Sequence, residues 1–194
     1  DLVLAEGHMG IVWDFVYAHA YNTDLVDAGD IPKTLDEFLD PRWKGSLAAS
    51  PFLYPAGFAF VALAQGEEAA VAKAKAIFDS QEVTLTNSYL SLLDSGEVPI
   101  LMFSSIPNTL KSQRQGAPVE FFFTENMGTA RLAVGLVKKG KNPNAAKLFF
   151  HWLNTPEGQQ ANYDESARGR AAGTGVDNEI TAIVAERGVS LVLE

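Results

Sequence analysis

The sequence predicts an α/β fold, a mostly parallel open sheet with helices on both faces. Three observations carry this expectation. Strand-like and helix-like segments alternate along the chain. Short turns rich in Gly, Pro, Asn and Asp join them. The longest apolar runs, such as 100–103 and 121–123, have the length of strands rather than helices. No internal repeat is visible.

Residues 10–21 are aromatic and apolar with no turn signal before Asn22, so they read as one long strand or two short ones. Residues 30–32 form a turn. Thr34-Leu-Asp-Glu37 is a capping box, and Leu35, Phe38 and Leu39 give the short helix behind it an apolar side. Pro41 ends that helix, and 46–50 follow a turn at 43–45 as a short buried strand. Residues 51–57 read as a loop and 57–64 as a helix punctuated by Gly66. The Ala-rich stretch 67–78 is strongly helical.

A strand is expected over 82–86. Asn87 or Ser88 can cap the helix that ends near Gly96. Strand 98–103, helix 107–115 and strand 119–124 come next, followed by strand 131–137 and a basic turn over 138–141. Asn142 can cap a helix with Pro143 at its first position, with Ala146, Phe149, Phe150 and Leu153 on one face. Thr155-Pro-Glu-Gly158 repeats the pattern. Residues 168–175 are linker-like, 177–187 form a last helix, and 189–193 a short strand or frayed end.

The 194 residues, 47% of them apolar, suffice for one large domain or two small ones. The formal charge of -9 gives no support for nucleic acid or an anionic membrane as partner. The chain has no Cys, which excludes disulfides, thiol catalysis and cysteine-held metals. No basic segment followed by an apolar one opens it, so neither a signal peptide nor a membrane span is expected within it.

Tyr21-Asn-Thr-Asp-Leu25, followed by Pro32-Lys-Thr-Leu-Asp-Glu-Phe-Leu-Asp-Pro-Arg-Trp-Lys-Gly45, resembles the extracellular solute-binding proteins of ABC transporters, in the ferric, polyamine, thiamine and phosphonate group. Gly96-Glu-Val-Pro99 and the stretch from Asn142-Pro-Asn-Ala-Ala-Lys to Trp152-Leu-Asn-Thr-Pro-Glu-Gly-Gln159 extend the likeness over roughly residues 10–162. These motifs are mostly structural and speak more for fold than for ligand.

The resemblance implies a periplasmic-binding-protein-like lobe. It makes 15–122 a second lobe, and 1–14 with 123–162 crossover strands and remnants of a first lobe. Residues 163–194 become a linker and a helix packing back on the second lobe. It also implies a truncated fragment with an apolar patch where the first lobe packed, coverable by a dimer or domain swap. The expected protein is periplasmic or extracellular, with a signal peptide or lipid anchor in its precursor and a membrane permease as partner.

No HExxH, CxxC, GxSxG or GxxxxGK[ST] is present, and His8, His19 and His151 are scattered. No base neighbours Ser104 or Ser105. An enzyme, a cofactor and a bound metal are therefore not expected. The better candidates are loops that feed helix N-termini, gathered at the carboxyl ends of parallel strands. They contribute Tyr54, Ala56 and Gly57; Thr86, Asn87, Ser88 and Tyr89; and Ser104 and Ser105. Asn87, Ser88 and Ser104 read equally well as ordinary caps. Asp14 joins them as an acid in an apolar run, while Trp13 and Tyr17 read at least as well as core.

The expected ligand is a small polar or anionic organic solute held between two lobes. A ligand-sensing regulatory module of the same fold is one alternative. A ferric-ion binder is the other, although the region after strand 98–103 lacks the adjacent tyrosines of ferric relatives. The basic turn at 138–141 and the pair Arg168 and Arg170 read as solvated surface.

Overall fold

The computed structural model describes residues 3–4, 9–169, 179–186 and 192–193. The strands are β1 (Val3–Leu4), β2 (Met9–Asn22), β3 (Leu47–Ala49), β4 (Thr84–Leu85), β5 (Ile100–Ser105), β6 (Val119–Phe122), β7 (Gly128–Gly135) and β8 (Val192–Leu193). The helices are α1 (Leu53–Gln65), α2 (Glu67–Gln81), α3 (Tyr89–Asp94), α4 (Ile106–Arg114), α5 (Pro143–Leu153), α6 (Pro156–Ser166) and α7 (Glu179–Glu186). Among the described residues two compact units divide the chain: a central unit, Tyr17–Gly128 with Val192, and a flanking unit built from 3–4, 9–16, 129–169, 179–186 and 193. Strand β2 contributes its first half to one and its second half to the other.

In the central unit β3 pairs in parallel with β4 (Ala48 beside Thr84) and with β5 (Leu47 beside Ile100). The second half of β2 lies between β5 and β6 and opposes both, Tyr17 facing Ser105 and His19 facing Phe122. So β4, β3, β5 and β6 share one direction, and β2 alone runs against them. A chain that enters and leaves a unit at the same edge must run its two edge-crossing strands in opposite senses.

The two faces of β2 carry different residues because side chains alternate along a strand. Ala18, Ala20 and Asn22 occupy one face. There Ala20 packs with Ala48, Leu93, Leu101 and Val119, and the Asn22 amide donates to the Leu93 carbonyl at 2.9 Å. Small side chains let α3 lie close to the sheet. Tyr17, His19 and Tyr21 occupy the other face. His19 meets the rings of Phe38, Phe103 and Phe122, and Tyr17 meets Phe60 of α1. Helices thus cover both faces of this sheet, as the α/β pattern requires.

The pairing of β2 with β5 slips by one residue between Ala18–Ser104 and Ala20–Leu101. Phe103 is the extra residue, with a left-handed φ of 52°. This bulge turns its ring onto the aromatic face, against Phe58 and Tyr54 of α1. Gly57 makes room: a Cβ there would stand 2.1 Å from the Phe103 ring.

Helix α1 begins at Leu53, four residues before the sequence expectation, so Ala56 and Gly57 lie inside it and not in a loop. Ser50 explains the early start. Its Oγ accepts the Phe52 N–H at 3.2 Å and its carbonyl accepts the Tyr54 N–H at 3.0 Å. Pro55 then falls in the first turn, where its missing N–H would find no helical partner anyway. The expected helix over 34–39 is a 3-10 turn, Asp36–Leu39. The Leu35 N–H there is accepted by the Glu125 carboxylate at 3.0 Å.

In the flanking unit the first half of β2 pairs antiparallel with β7, Asp14 beside Arg131 and Val16 beside Thr129, and with β1. Gly10 lets the Phe150 ring of α5 approach, since a Cβ there would be 3.0 Å away. Thr155 caps α6, its Oγ1 accepting the Gly158 N–H at 3.2 Å. Helix α7 groups with this unit, rather than with the central one as expected. Its Ile180 is buried and its Glu179 carboxylate accepts the Tyr163 hydroxyl at 2.6 Å. Val137, Leu148 and Phe149 are exposed, beside an apolar groove of about 460 Å³ between the end of β7 and α5. The sequence expectations for 170–178 and 187–191 lie outside the described residues. Among the described residues no helix is long and apolar enough to cross a membrane.

Candidate functional site

The carboxyl ends of β3, β4 and β5 open onto one edge of the central unit, and Tyr17 arrives beside them because β2 pairs it with Ser105. Each strand end is tied to the next. The Thr86 N–H, just past β4, donates to the carbonyl of Ala49 at the end of β3, 3.0 Å away. Thr86 Oγ1 accepts the Ser88 N–H at 3.1 Å, which shapes the turn into α3. Asn87 and Ser88 are exposed, and neither side chain caps α3.

Tyr89, the first residue of α3, is half-buried and its hydroxyl accepts the Asn108 amide at 3.1 Å. Asn108 stands in the first turn of α4. Its backbone N–H is accepted by Ser105 Oγ at 3.3 Å, so Ser105 is the cap of that helix. Ser104 and Ser105 are fully buried. Ser104 Oγ has no hydrogen-bond partner among the described residues, an unusual state for a buried hydroxyl.

Burial pushes the Tyr17 phenol above its usual range. Burial, and then the nearby Tyr17, do the same to Tyr89. Both stay neutral at ordinary pH. In this state they are hydrogen-bonding hydroxyls.

The structure thus brings Thr86, Asn87, Ser88, Tyr89, Ser104 and Ser105 to one edge. It adds Asn108, which the sequence placed in the helix 107–115 and not among the candidates, and Tyr17, for which core read at least as well as cleft. The signal for Asn108 was its position three residues after a serine cap. Tyr54, Ala56 and Gly57 take another place. The Tyr54 ring lies among Phe58, Phe78 and Phe103, and its hydroxyl donates to the Ala74 carbonyl of α2 at 2.8 Å. Burial, then Asp79, raises its pKa. Tyr54 is a core residue that joins α1 to α2.

Asp14 belongs to the flanking unit. It is buried, with Arg131 Nε 4.0 Å from its Oδ1 and its backbone N–H donating to the Gly169 carbonyl at 3.0 Å. Beside it the Arg168 guanidinium lies over the Trp13 ring, 5.1 Å from its centroid. That gives Arg168 a packing partner where the sequence suggested only surface. Residues 138–141 are all exposed. Among the described residues no group of three or more His, Cys, Asp or Glu side chains is placed to hold a metal ion.

The profile of the bacterial extracellular solute-binding protein family matches residues 4–180. No protein with a curated description matches the sequence. Among solved structures, the chain is similar to the periplasmic binding protein AfuA from Actinobacillus pleuropneumoniae, solved with fructose-6-phosphate. The TM-score is 0.75 at 21% identity, over 89% of this chain and 57% of AfuA. It is also similar to iron-bound HitA from Pseudomonas aeruginosa, with TM-score 0.70 and 21% identity over 98% of this chain and 72% of HitA. A two-component system protein of signal transduction matches with TM-score 0.75 and 16% identity, over 99% of this chain and 66% of that one. At these identities the likeness concerns the fold. The chain spans less than three fifths of the length of AfuA.

Proposed function

We propose that this chain, which belongs to the family of bacterial extracellular solute-binding proteins, serves as the solute-binding component of an ABC importer and takes a small polar or anionic organic solute at the carboxyl edge of β3, β4 and β5. One observation carries the reading of the site. Tyr17, Tyr89 and Asn108 come together there from three separate elements, with the Tyr89 hydroxyl fixed by the Asn108 amide at 3.1 Å. A hydroxyl that accepts one hydrogen bond keeps its own proton to donate, so the pair is set to donate to a ligand oxygen. The fully buried Ser104 hydroxyl and the start of α4 lie next to them.

The ligand class follows from the donors at this edge. Phenol hydroxyls and a side-chain amide suit a solute with hydroxyl or phosphate oxygens. Sugar phosphates are the first candidates, because AfuA was solved with one. A periplasmic or extracellular location and a membrane permease as partner accompany this reading. A sensing role for the same edge is the second reading, favoured by the likeness to the two-component system protein.

A thermal-shift screen of phosphorylated and unphosphorylated sugars, polyamines and ferric citrate tests the proposal. A ligand at 100 times its Kd stabilises the protein by about 2.7 kcal/mol, a rise of several degrees. A sugar phosphate that raises Tm in the wild type and not in Tyr89→Phe supports the reading. A response to ferric ion alone overturns it.

A further inference from the structure

Strand β2 pairs Val16 with Thr129 of β7, and one step further the same register sets Tyr17 opposite Gly128, both in the central unit. Opposed residues of an antiparallel pair send their side chains to the same face of the sheet. Gly128 has none to send, and the Phe60 ring of α1 takes the place. A Cβ on Gly128 would stand 2.0 Å from that ring. The backbone does not ask for glycine there, since its φ lies outside the left-handed region. The glycine serves to admit the ring. The same ring meets Tyr17 edge-on, with centroids 5.1 Å apart and planes at 63°. Phe60, Tyr17 and Gly128 are all buried, so none of the three moves without the others giving way.

This bears on the donors at the strand ends. The Tyr89 hydroxyl is held by a hydrogen bond from Asn108 at 3.1 Å. The Tyr17 hydroxyl sits at the far end of a ring whose angle is set by packing, and a small turn of that ring carries the hydroxyl a long way. We propose that Phe60 is a positioning residue for the solute site: seated over Gly128, it holds the Tyr17 ring at the angle that presents its hydroxyl beside Tyr89. This inference rests on the site reading above. It makes affinity depend on Phe60 and Gly128, neither of which belongs to the donor set.

Calorimetric titration of the full chain with fructose 6-phosphate, glycerol 3-phosphate and inorganic phosphate tests this in wild type, Phe60→Leu, Tyr17→Phe and the double variant. Phe60→Leu keeps an apolar side chain in the core. It should weaken the best of these probes by about three- to tenfold, as Tyr17→Phe should. In the Tyr17→Phe background the Phe60 change should add less than about twofold, because the hydroxyl it acts through is gone. Gly128→Ala, which displaces the ring from the other partner, should weaken binding by a similar factor. An equal loss from Phe60→Leu in both backgrounds overturns the proposal, since a general loosening of the fold would act that way. NMR of ring-labelled tyrosine without ligand gives a second reading. The Tyr17 signal should shift in Phe60→Leu while that of Tyr163, in the flanking unit, stays in place. An unmoved Tyr17 signal overturns the positioning role and leaves the site reading standing. Absence of binding by every probe in the wild type overturns the site reading, and this inference with it.

Discussion

Nδ1 of His19 accepts the backbone N–H of Phe103 at 3.2 Å, across the bulge that breaks the β2–β5 ladder. This fixes the tautomer, so Nε2 carries the proton and donates to Thr124 Oγ1 at 3.0 Å. The imidazole is wholly buried among three phenyl rings, and burial lowers its pKa to about 3. One neutral side chain thereby completes the bulge and holds the strand end after β6. The bulge matters to the site because Ser104 and Ser105 follow Phe103 directly.

Stability should depend on pH through this residue. In the unfolded chain His19 takes a proton near pH 6.5, while the folded protein resists until about 3. Between those values the unfolded state binds the extra proton, so stability is lost as pH falls, by at most about 1.4 kcal/mol per unit. Above pH 6.5 the contribution is constant. Urea unfolding at several pH values, in wild type and His19→Gln, isolates it: the difference in ΔG between the two should shrink as pH falls through this window. A difference that does not change with pH would contradict a buried neutral imidazole.

Gly57→Ala should destabilise the protein, against the usual gain of about 1 kcal/mol for this change inside a helix. The new Cβ would meet the Phe103 ring at 2.1 Å, and that ring is held by the bulge and by His19. Overpacking of this kind costs about 1–3 kcal/mol. A chemical denaturation midpoint that falls confirms the close approach of α1 to β5.

Tyr54→Phe separates core from site. Removing the hydroxyl deletes its bond to the Ala74 carbonyl, which keeps its place in the α2 ladder, with a loss of about 1 kcal/mol in stability and no change in solute affinity. Parallel unfolding and binding curves would show the two effects apart. A large loss of affinity would return Tyr54 to the ligand site.

Much of the fold could be read from local pattern. The aromatic and apolar run 10–21 gives one strand, β2, and Thr155-Pro-Glu-Gly158 caps a helix as its spacing implies. What escaped depends on distant partners. Pro55 looks like a breaker until Ser50 is seen to start α1 before it. Asn142 has a capping residue's chemistry, but its side chain makes no cap bond. The Phe103 bulge is a matter of register, set by pairing with β2 and closed by a histidine 84 positions away. The shared edge was legible, because parallel strands put their carboxyl ends together. Which side chains gather there was not. Tyr89 and Asn108 meet only because α3 and α4 lie side by side, and Tyr54 leaves the site because its ring finds Phe103.

The neutral state of the two phenols makes the most direct test of the account. Solute affinity should be measured by calorimetry from pH 6 to pH 9, using the best ligand from the thermal-shift screen, for wild type, Tyr89→Phe and Asn108→Ala. Phenols raised above their usual range by burial remain protonated throughout, so wild-type affinity should stay flat apart from the ligand's own titration. Each variant should lose about tenfold, as expected for one hydrogen bond of about 1.4 kcal/mol. Affinity that climbs steadily with pH, or variants that bind as well as wild type, would contradict a site built on hydroxyl donors at the carboxyl edge of the central sheet.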